Sequence, residues 1–441
     1  MSNENVIRDQ TVLIFGSTIV GIGDTDEMRI PGDAEVINCE GAYLMPGLAD
    51  MHMHTRADWE DPEIWPVHPL YLYLANGVTT IRDFSPYGSP IDYALKWQEE
   101  IINGNRIGPT IYASGELLYA SPLEEPVGIV DKNHKLGFDF LKVYSYLSRD
   151  DFHQALKESE RLNFYSAGHI PYAVGLDGVL ADGMDEIAHV EELLFEFIRF
   201  DRDQQLTSEE WMRYISESAM KQFNRDLSTY DTDFLEENED SLRQIAGLLK
   251  TKNIPVSTTM VIDDIIQLKL FQPEEFLARY ENQYFESGYI DIFQRGEEKH
   301  QMQCNGVEDL CAYKYVIDCW ILNGLKAEDV LLLIGTDSGT GGMGIVPGFS
   351  IHDELNILIE NGFSPYEALK TATVNPALVV DRMVGEGNFG SIVVGNRADL
   401  VLIAENPLTD IETLRTPLGV MTRGKWFSGE TLNQLIELPD F

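Results

Sequence analysis

The chain has 441 residues, a formal net charge of −41 at pH 7, 44% hydrophobic residues and 10% aromatic residues. This apolar content suffices for a large buried core and excludes a disordered chain. The excess of acidic residues argues against a surface for nucleic acid or anionic membranes, because both need clustered Lys and Arg. The acidity fits either adaptation to high salt or simple solubility.

The amino terminus has neither the basic region nor the apolar stretch of a secretory signal, and no apolar run approaches the roughly 20 residues that span a bilayer. We therefore expect a cytoplasmic protein without membrane partners. The cysteines agree with this location. Cys304, Cys311 and Cys319 have the spacing of one helix face, so we expect them and Cys39 to be buried free thiols.

Both ends of the chain are rich in short β-like runs separated by Gly, Asp and Pro. These runs fall within residues 1–47 and 386–441. We expect the two ends to pair into one small β-sandwich domain, although they lie far apart in sequence.

The middle of the chain, residues 48–385, alternates strand-like apolar runs with segments of helical period. The candidate strands are residues 48–54, 78–84, 110–114, 138–144, 163–169, 185–190, 255–261 and 331–337, and the clearest helical segments are 90–104, 148–162 and 364–377. Strand followed by helix, repeated about eight times, is typical of an α/β protein with a (β/α)8 TIM-type barrel. A mostly helical stretch from about 191 to 326 is longer than an ordinary connection and is expected to be an insertion.

Two histidines stand one residue apart in "LADMHMH", the first candidate strand of the barrel. Side chains at i and i+2 share a face of a strand, so His52 and His54 are predicted to point the same way. Polar residues at the carboxyl end of a barrel strand belong to the active site, and paired imidazoles suit a divalent metal. Hydrogen-bonded core histidines would give the same pattern.

Other predicted strands end in further metal-ligand types. These residues are Lys142, His169, His189 and Asp337. A protonated lysine is costly to bury without a partner, which makes an inward-facing Lys142 unusual in an apolar strand. The ordered set of HxH, Lys, His, His and Asp favours a metal site, whereas any member alone does not.

With these residues in place, the chain resembles the amidohydrolase superfamily over nearly its whole length. The matching segments are "MPGLADMHMH", "FLKVYSYLS", "GHIPYAVGLDGVLADGMDEIAHVEE", "LLLIGTDSGTGG" and "GSIVVGNRADLVLIAENPL". It looks most like the branch that contains imidazolonepropionase-related and Xaa-Pro dipeptidase-like metal-dependent hydrolases. One departure stands in "HIPY", where Pro171 occupies the position of a tyrosine common among the dipeptidases.

The resemblance implies two divalent metal ions, with zinc expected from the ligand types. It places His52, His54 and Asp337 around one ion and His169 and His189 around the other. Lys142, carboxylated by carbon dioxide, would bridge them as a carbamate. An unmodified lysine would imply a single metal.

The implied reaction is hydrolysis of a carbon–nitrogen bond of amide type in a small molecule, such as an N-acyl amino acid, a dipeptide or a cyclic amide. A metal-activated hydroxide would attack the carbonyl, and Asp337 would act as general base and then as general acid. The alternatives are a ring deaminase, a phosphoester or organophosphate hydrolase on the same metals, and a catalytically silent binding barrel. The resemblance also implies a homo-oligomer.

Several residues have weaker predicted roles. Tyr144 and His352 are candidates for substrate contact, with packing or helix capping as the alternative. Arg82 and Asp83 are predicted to form a structural ion pair beneath the site. Surface or helix positions are expected for the remaining histidines, His68, His134, His153 and His300.

Overall fold

The computed structural model describes residues 4–85, 90, 92–222 and 232–438. The strands are β1 (Gln10–Phe15), β2 (Thr18–Asp24), β3 (Tyr43–Pro46), β4 (Leu48–Met53), β5 (Val78–Asp83), β6 (Thr110–Ala113), β7 (Leu118–Ala120), β8 (Leu141–Tyr146), β9 (Ser166–Gly168), β10 (Glu186–Ile187), β11 (Val256–Ser257), β12 (Leu332–Leu333), β13 (Leu400–Ile403), β14 (Gly419–Thr422) and β15 (Lys425–Ser428). The helices are α1 (Pro69–Ala75), α2 (Tyr93–Ile102), α3 (Pro126–Leu136), α4 (Arg149–Leu162), α5 (Gly175–Asp182), α6 (Ser208–Gln222), α7 (Thr232–Lys252), α8 (Val261–Phe271), α9 (Pro273–Ala278), α10 (Tyr289–Gln294), α11 (Lys299–Gln303), α12 (Glu308–Ala327), α13 (Ser350–Glu360), α14 (Pro365–Thr371), α15 (Val374–Val384) and α16 (Gly429–Leu435).

Parallel strands form the centre of the molecule. One sheet has the order β4-β5-β6, and the other has the order β12-β11-β10-β9-β8-β7. Parallel bridges join the edges of the two sheets, Met53 with Ser338 at one seam and Ser114 with Phe140 at the other. All eight predicted barrel strands are present, which confirms the α/β class and the strand order of the TIM-type fold. The short β7 was not among the predicted strands.

The apolar core lies on both sides of these strands. One cluster contains Met51 of β4, Phe84 directly after β5 and Phe140 directly before β8, together with Val379 and Val380 from α15. A larger cluster packs other strand residues against the surrounding helices. Because both faces of the parallel strands are covered, β4 and β5 are buried along their whole length.

The two chain ends meet in a small antiparallel sheet of order β15-β14-β13-β3. The pairing of β3 with β13 joins Tyr43 to Ile403, so the sheet is built from both ends of the chain, as predicted. The β1-β2 hairpin is attached by a bridge between Thr18 and Arg397. The domain limits of 1–47 plus 386–441 and 48–385 stay a prediction.

Two helical predictions need correction. The segment 364–377 forms two helices, α14 and α15, because Thr373 leaves the helical conformation at φ −135° and its hydroxyl donates to the Leu369 carbonyl. Pro376 has no backbone N–H and lies in the first turn of α15, where backbone N–H groups have no acceptor within the helix. The expected insertion of 191–326 contains α6 to α12, but β11 of the central sheet divides it.

The expectation for the cysteines is wrong at two positions. Cys304 and Cys311 form a disulfide, with 6.5 Å between their Cα atoms. They do not share a helix face, since α11 ends before Cys304 and α12 begins only at Glu308. Cys39 and Cys319 are free and half-buried. Among the described residues, no helix combines the length and apolar character required to cross a membrane.

Candidate metal centre

The histidines of the HxH motif lie at the carboxyl end of β4. His52 is fully buried, and its ring stacks on Phe84 with 3.8 Å between centroids. His54 follows the strand, and its Nδ1 lies 2.9 Å from the carbonyl oxygen of Ser85. The register of β4 against β5 shifts within the motif, so the strict alternation behind our prediction does not continue through it. The two rings nevertheless meet, with centroids 5.5 Å apart.

Asp337, in the loop after β12, faces both histidines. Its Oδ1 lies 3.0 Å from Nε2 of His54 and 3.4 Å from Nε2 of His52. Its backbone has φ 56°, and its amide donates to the His52 carbonyl at 2.7 Å. Burial alone would raise the pKa of Asp337, but the hydrogen bond and charge of His54 outweigh it and lower that pKa to about 2. The carboxylate is therefore ionised at neutral pH.

His169 and His189 follow β9 and β10 and complete the ring of imidazoles. Their centroids are 4.8 Å apart, and that of His189 is 4.3 Å from His52. Nδ1 of His169 lies 2.6 Å from Oε1 of Glu192, and Nδ1 of His189 lies 2.8 Å from Oγ1 of Thr259. Burial lowers the pKa of both histidines, to about 3 for His189, so both rings are uncharged at neutral pH.

Lys142 reaches the cluster from β8 and is 2% exposed. Its Nζ lies 4.5 Å from the centroid of the Phe84 ring. Burial lowers the pKa of Lys142 to about 7, against the opposing charges of Asp337 and Glu192. No hydrogen bond or ion pair of Nζ is present among residues 4–85, 90, 92–222 and 232–438.

The donor set fits divalent cations of borderline softness. His52, His189 and Asp337 each offer a ligand atom, and these atoms lie within 4.8 Å of one another. Neither ring nitrogen of His52 has a hydrogen-bond partner in the described part of the chain. In His54, His169 and His189, a neighbouring oxygen contacts Nδ1 and fixes the orientation of the ring. Nε2 is then the ring nitrogen that would bind a metal ion.

A buried ion pair lies beneath the cluster, although not the predicted one. Arg82 pairs with Glu186 and not with Asp83, and both partners are fully buried. Arg82 Nε also donates to the Met51 carbonyl at 2.8 Å, which ties β5 to β4 below the histidines. Asp83 instead accepts hydrogen bonds from the amide and hydroxyl of Thr55.

Sequence reasoning missed the residues that orient the histidines. Glu192 also accepts from the Ile170 amide at 2.9 Å, so it holds both the ring and the backbone at His169. Its position in "HVEE" was a usable signal, because a carboxylate close to a ligand histidine often orients such rings. Phe84 and Thr259 gave no comparable signal, since an apolar and a hydroxyl residue are common at strand ends.

The two weaker candidates for substrate contact lie in different surroundings. The half-buried ring of Tyr144 is 4.3 Å from that of His169, at the edge of the cluster. His352 is buried in α13, and among the described residues no hydrogen bond or ring contact connects it to the cluster. Its pKa is lowered to about 3 by burial and by the positive charge of Arg415. This position favours packing for His352.

The other histidines occupy helices or helix ends, as predicted. His134 and His153 are exposed on α3 and α4, and His68 caps α1 by accepting from the Leu70 amide. His300, in α11, is buried beside Lys269 and contributes to a separate cluster.

Comparisons with known proteins point to one family. Residues 318–427 match the model of the amidohydrolase family. Ochratoxinase of Aspergillus niger is 25% identical over 425 aligned residues, covering 88% of this chain and 76% of the relative. The structure of bottromycin amidohydrolase superposes with a TM-score of 0.65 at 21% identity, covering 96% of this chain and 83% of that one. A prolidase complexed with N-methylphosphonate-L-proline gives a TM-score of 0.62 at 18% identity, covering 95% and 94%.

The fold and the strand-end cluster thus define an α/β protein with a candidate metal site. With the family match, the chain carries an amidohydrolase family domain and is an enzyme of the amidohydrolase type, a class that acts on carbon–nitrogen bonds. The predicted superfamily is confirmed.

Proposed function

We propose that the chain is a metal-dependent hydrolase that cleaves an amide-type bond of a small molecule, such as an N-acyl amino acid, a dipeptide or a cyclic amide. One observation carries the proposal: ligand atoms of His52, His189 and Asp337 lie within 4.8 Å of one another in a buried site. Uncharged imidazoles beside an ionised carboxylate form a donor set that binds cations rather than substrate anions.

His52, His54 and Asp337 would hold one divalent ion, His169 and His189 a second, and zinc is expected from the ligands. Bound ions would polarise the amide carbonyl and acidify a water molecule. The buried site excludes competing water, which strengthens each electrostatic interaction at the carbonyl.

Lys142 is proposed to carry a carbamate made with carbon dioxide. The argument is its burial without a counter-charge within hydrogen-bond distance in the described residues, a costly state for an ammonium group. Carboxylation replaces that cation with an anion whose oxygens can reach two ions. The cluster would then offer two anionic groups, the carbamate and Asp337, to two divalent ions.

Asp337 is proposed as the proton carrier. Its carboxylate is ionised and held by His54, so it can accept a proton from the attacking water. It would then pass that proton to the departing amine nitrogen, which leaves as a neutral group. Both transfers use the same oxygen atoms, and the left-handed backbone at Asp337 aims them at the cluster.

An amide substrate is supported by the names of the relatives, which include an ochratoxinase, a prolidase and a bottromycin amidohydrolase. A dipeptide has less support, because Pro171 replaces the expected tyrosine, and the hydroxyl of nearby Tyr172 donates to Met212 Sδ at 3.9 Å. A cytoplasmic location and assembly into homo-oligomers belong to the same proposal.

Metal analysis together with hydrolysis assays on a panel of N-acyl amino acids, dipeptides and lactams tests this function. The purified protein should contain up to two divalent ions per chain. Asp337→Asn should lower kcat/KM by about 100- to 10,000-fold. Asp131→Asn, which alters a half-buried carboxylate of α3 that pairs with Lys135, is the matched control and should retain full activity. Protein that binds no divalent ion, or an Asp337→Asn variant with undiminished turnover, would overturn the proposal.

A further inference from the structure

Three tyrosine rings lie together at the edge of the metal cluster. The rings of Tyr119 and Tyr144 are 5.0 Å apart, those of Tyr119 and Tyr146 are 5.4 Å apart, and those of Tyr144 and Tyr146 are 5.5 Å apart. Tyr144 also contacts His169, with 4.3 Å between centroids. We call these three residues the tyrosine track.

The track leads from the cluster toward solvent. Lys142, Tyr144 and Tyr146 alternate along β8 and so share one face of the strand. Burial decreases in the same order: Lys142 is buried, whereas Tyr144 and Tyr146 are half-buried. Tyr119, on the neighbouring β7, is 48% exposed and forms the outer end. A molecule whose amide bond reaches Lys142 would therefore lie along these rings.

The tyrosine track has unused binding capacity. Aromatic rings that are half-exposed at the edge of a catalytic cluster leave apolar faces that an apolar group can cover. In the described ranges of the chain, none of the three phenol hydroxyls has a hydrogen-bond partner. The same rings can therefore stack on a ligand and donate to a polar atom on it.

Buried aromatic residues pack behind the tyrosine track. Tyr172 lies 5.9 Å from Tyr146, and Trp211 of α6 lies 5.8 Å from Tyr172, measured between ring centroids. Both residues belong to a core cluster against which Tyr146 packs, so α6 of the helical insertion supports the position of Tyr146.

We propose that the tyrosine track is the specificity subsite for an aromatic group of the amide substrate. This inference rests on the proposed function and goes further by naming the chemical class of the group that is recognised. Stacking on two or three rings would make an aromatic substrate better than a saturated one of equal size.

The test uses matched pairs of amides that differ only in aromaticity, namely benzoyl against cyclohexanecarbonyl amides and phenylalanine against cyclohexylalanine amides. For the metal-loaded wild type, kcat/KM for the aromatic amide should be about tenfold higher than kcat/KM for its saturated counterpart in at least one series. Tyr119→Leu and Tyr146→Leu should each lower that ratio about threefold or more. Tyr366→Leu, at a half-buried tyrosine of α14, is the matched control and should leave the ratio as it is.

Equilibrium binding of the same pairs to the Asp337→Asn variant measures the preference without turnover. The inference would be overturned by an aromatic-to-saturated ratio near one in both series, or by a ratio that Tyr119→Leu and Tyr146→Leu leave unchanged. Neither result would contradict the proposed amide hydrolysis. Absence of hydrolysis for every amide would instead overturn the proposed function, and the binding ratio would still decide the role of the track.

Discussion

Two buried clusters of this protein combine a lysine, histidine and carboxylates, but they use their polar atoms differently. In the metal cluster, Lys142 has no hydrogen bond or ion pair and neither nitrogen of His52 is bonded within the described residues. In the second cluster, Lys269 Nζ lies 2.8 Å from Oε1 of Glu298, 2.6 Å from Nδ1 of His300 and 3.0 Å from the Met343 carbonyl oxygen.

This difference separates a structural cluster from a candidate site. Buried polar groups are normally satisfied, and the Lys269 cluster follows that rule. It joins α8 to α11 and to the loop that follows Asp337. Unsatisfied groups such as those of Lys142 and His52 cost free energy unless another species binds them. Residue composition therefore does not distinguish these two clusters, whereas the pattern of their unused donors and acceptors does.

The largest expected effect comes from Lys142→Met. Loss of the proposed bridging group should lower kcat/KM by at least about 100-fold and reduce the metal content. The free energy of unfolding of the metal-free protein should stay constant or rise, because an unpaired buried amine is replaced by an apolar side chain. Assays, metal analysis and urea unfolding check this. Full activity with bound metal would contradict the role of Lys142.

The same substitution at the other lysine, Lys269→Met, should have the opposite outcome. It leaves the Glu298 carboxylate buried without the ammonium group that pairs with it, so the free energy of unfolding should fall by about 3–5 kcal/mol. The double variant Lys269→Met/Glu298→Gln should recover part of that loss. Equal stability of Lys142→Met and Lys269→Met in urea unfolding would erase the distinction between the clusters.

The disulfide next to the second cluster should have a smaller effect. Replacing Cys304 and Cys311 by Ser opens a loop with a sequence separation of 7, which should lower the stability by about 2–3 kcal/mol. Wild type unfolded in the presence of a reductant should match the variant. Alkylation of both thiols in the unreduced protein would show that the bond is not formed.

The smallest expected effect is a pH dependence at Glu298. Burial alone would raise the pKa of Glu298, but hydrogen bonds and charges of His300 and Lys269 lower it to about 2 from the usual 4.5. A depressed carboxyl pKa gives stability that is present above pH 4.5 and is lost as the pH falls toward 2. The difference in unfolding free energy between wild type and Glu298→Gln should therefore be larger at pH 6 than at pH 3. The opposite trend would contradict this pairing.

The sequence predicted six candidate ligands at strand ends, and the structure brings them together because parallel strands place their carboxyl ends at one edge, whatever their separation along the chain. It predicted less well the partners that support them. The pairing of Arg82 with Glu186 rather than with the adjacent Asp83 depends on how β5 and β10, which belong to different sheets, face each other in three dimensions. The disulfide was missed because helix spacing was assumed where α11 ends and α12 has not begun.

The amino-acid sequence by itself determined the α/β class, the eight strand positions and the order of His52, His54, Lys142, His169, His189 and Asp337, because hydrophobic period and residue type are local properties. Tertiary structure alone decided which polar atoms are satisfied. Lys142 and Lys269 are both buried lysines, and only packing in three dimensions gives Lys269 its partners and leaves Lys142 without a hydrogen bond or ion pair to any residue that the structure describes. The free energy of a buried charge depends on neighbours within a few ångströms, and those neighbours come from distant parts of the chain.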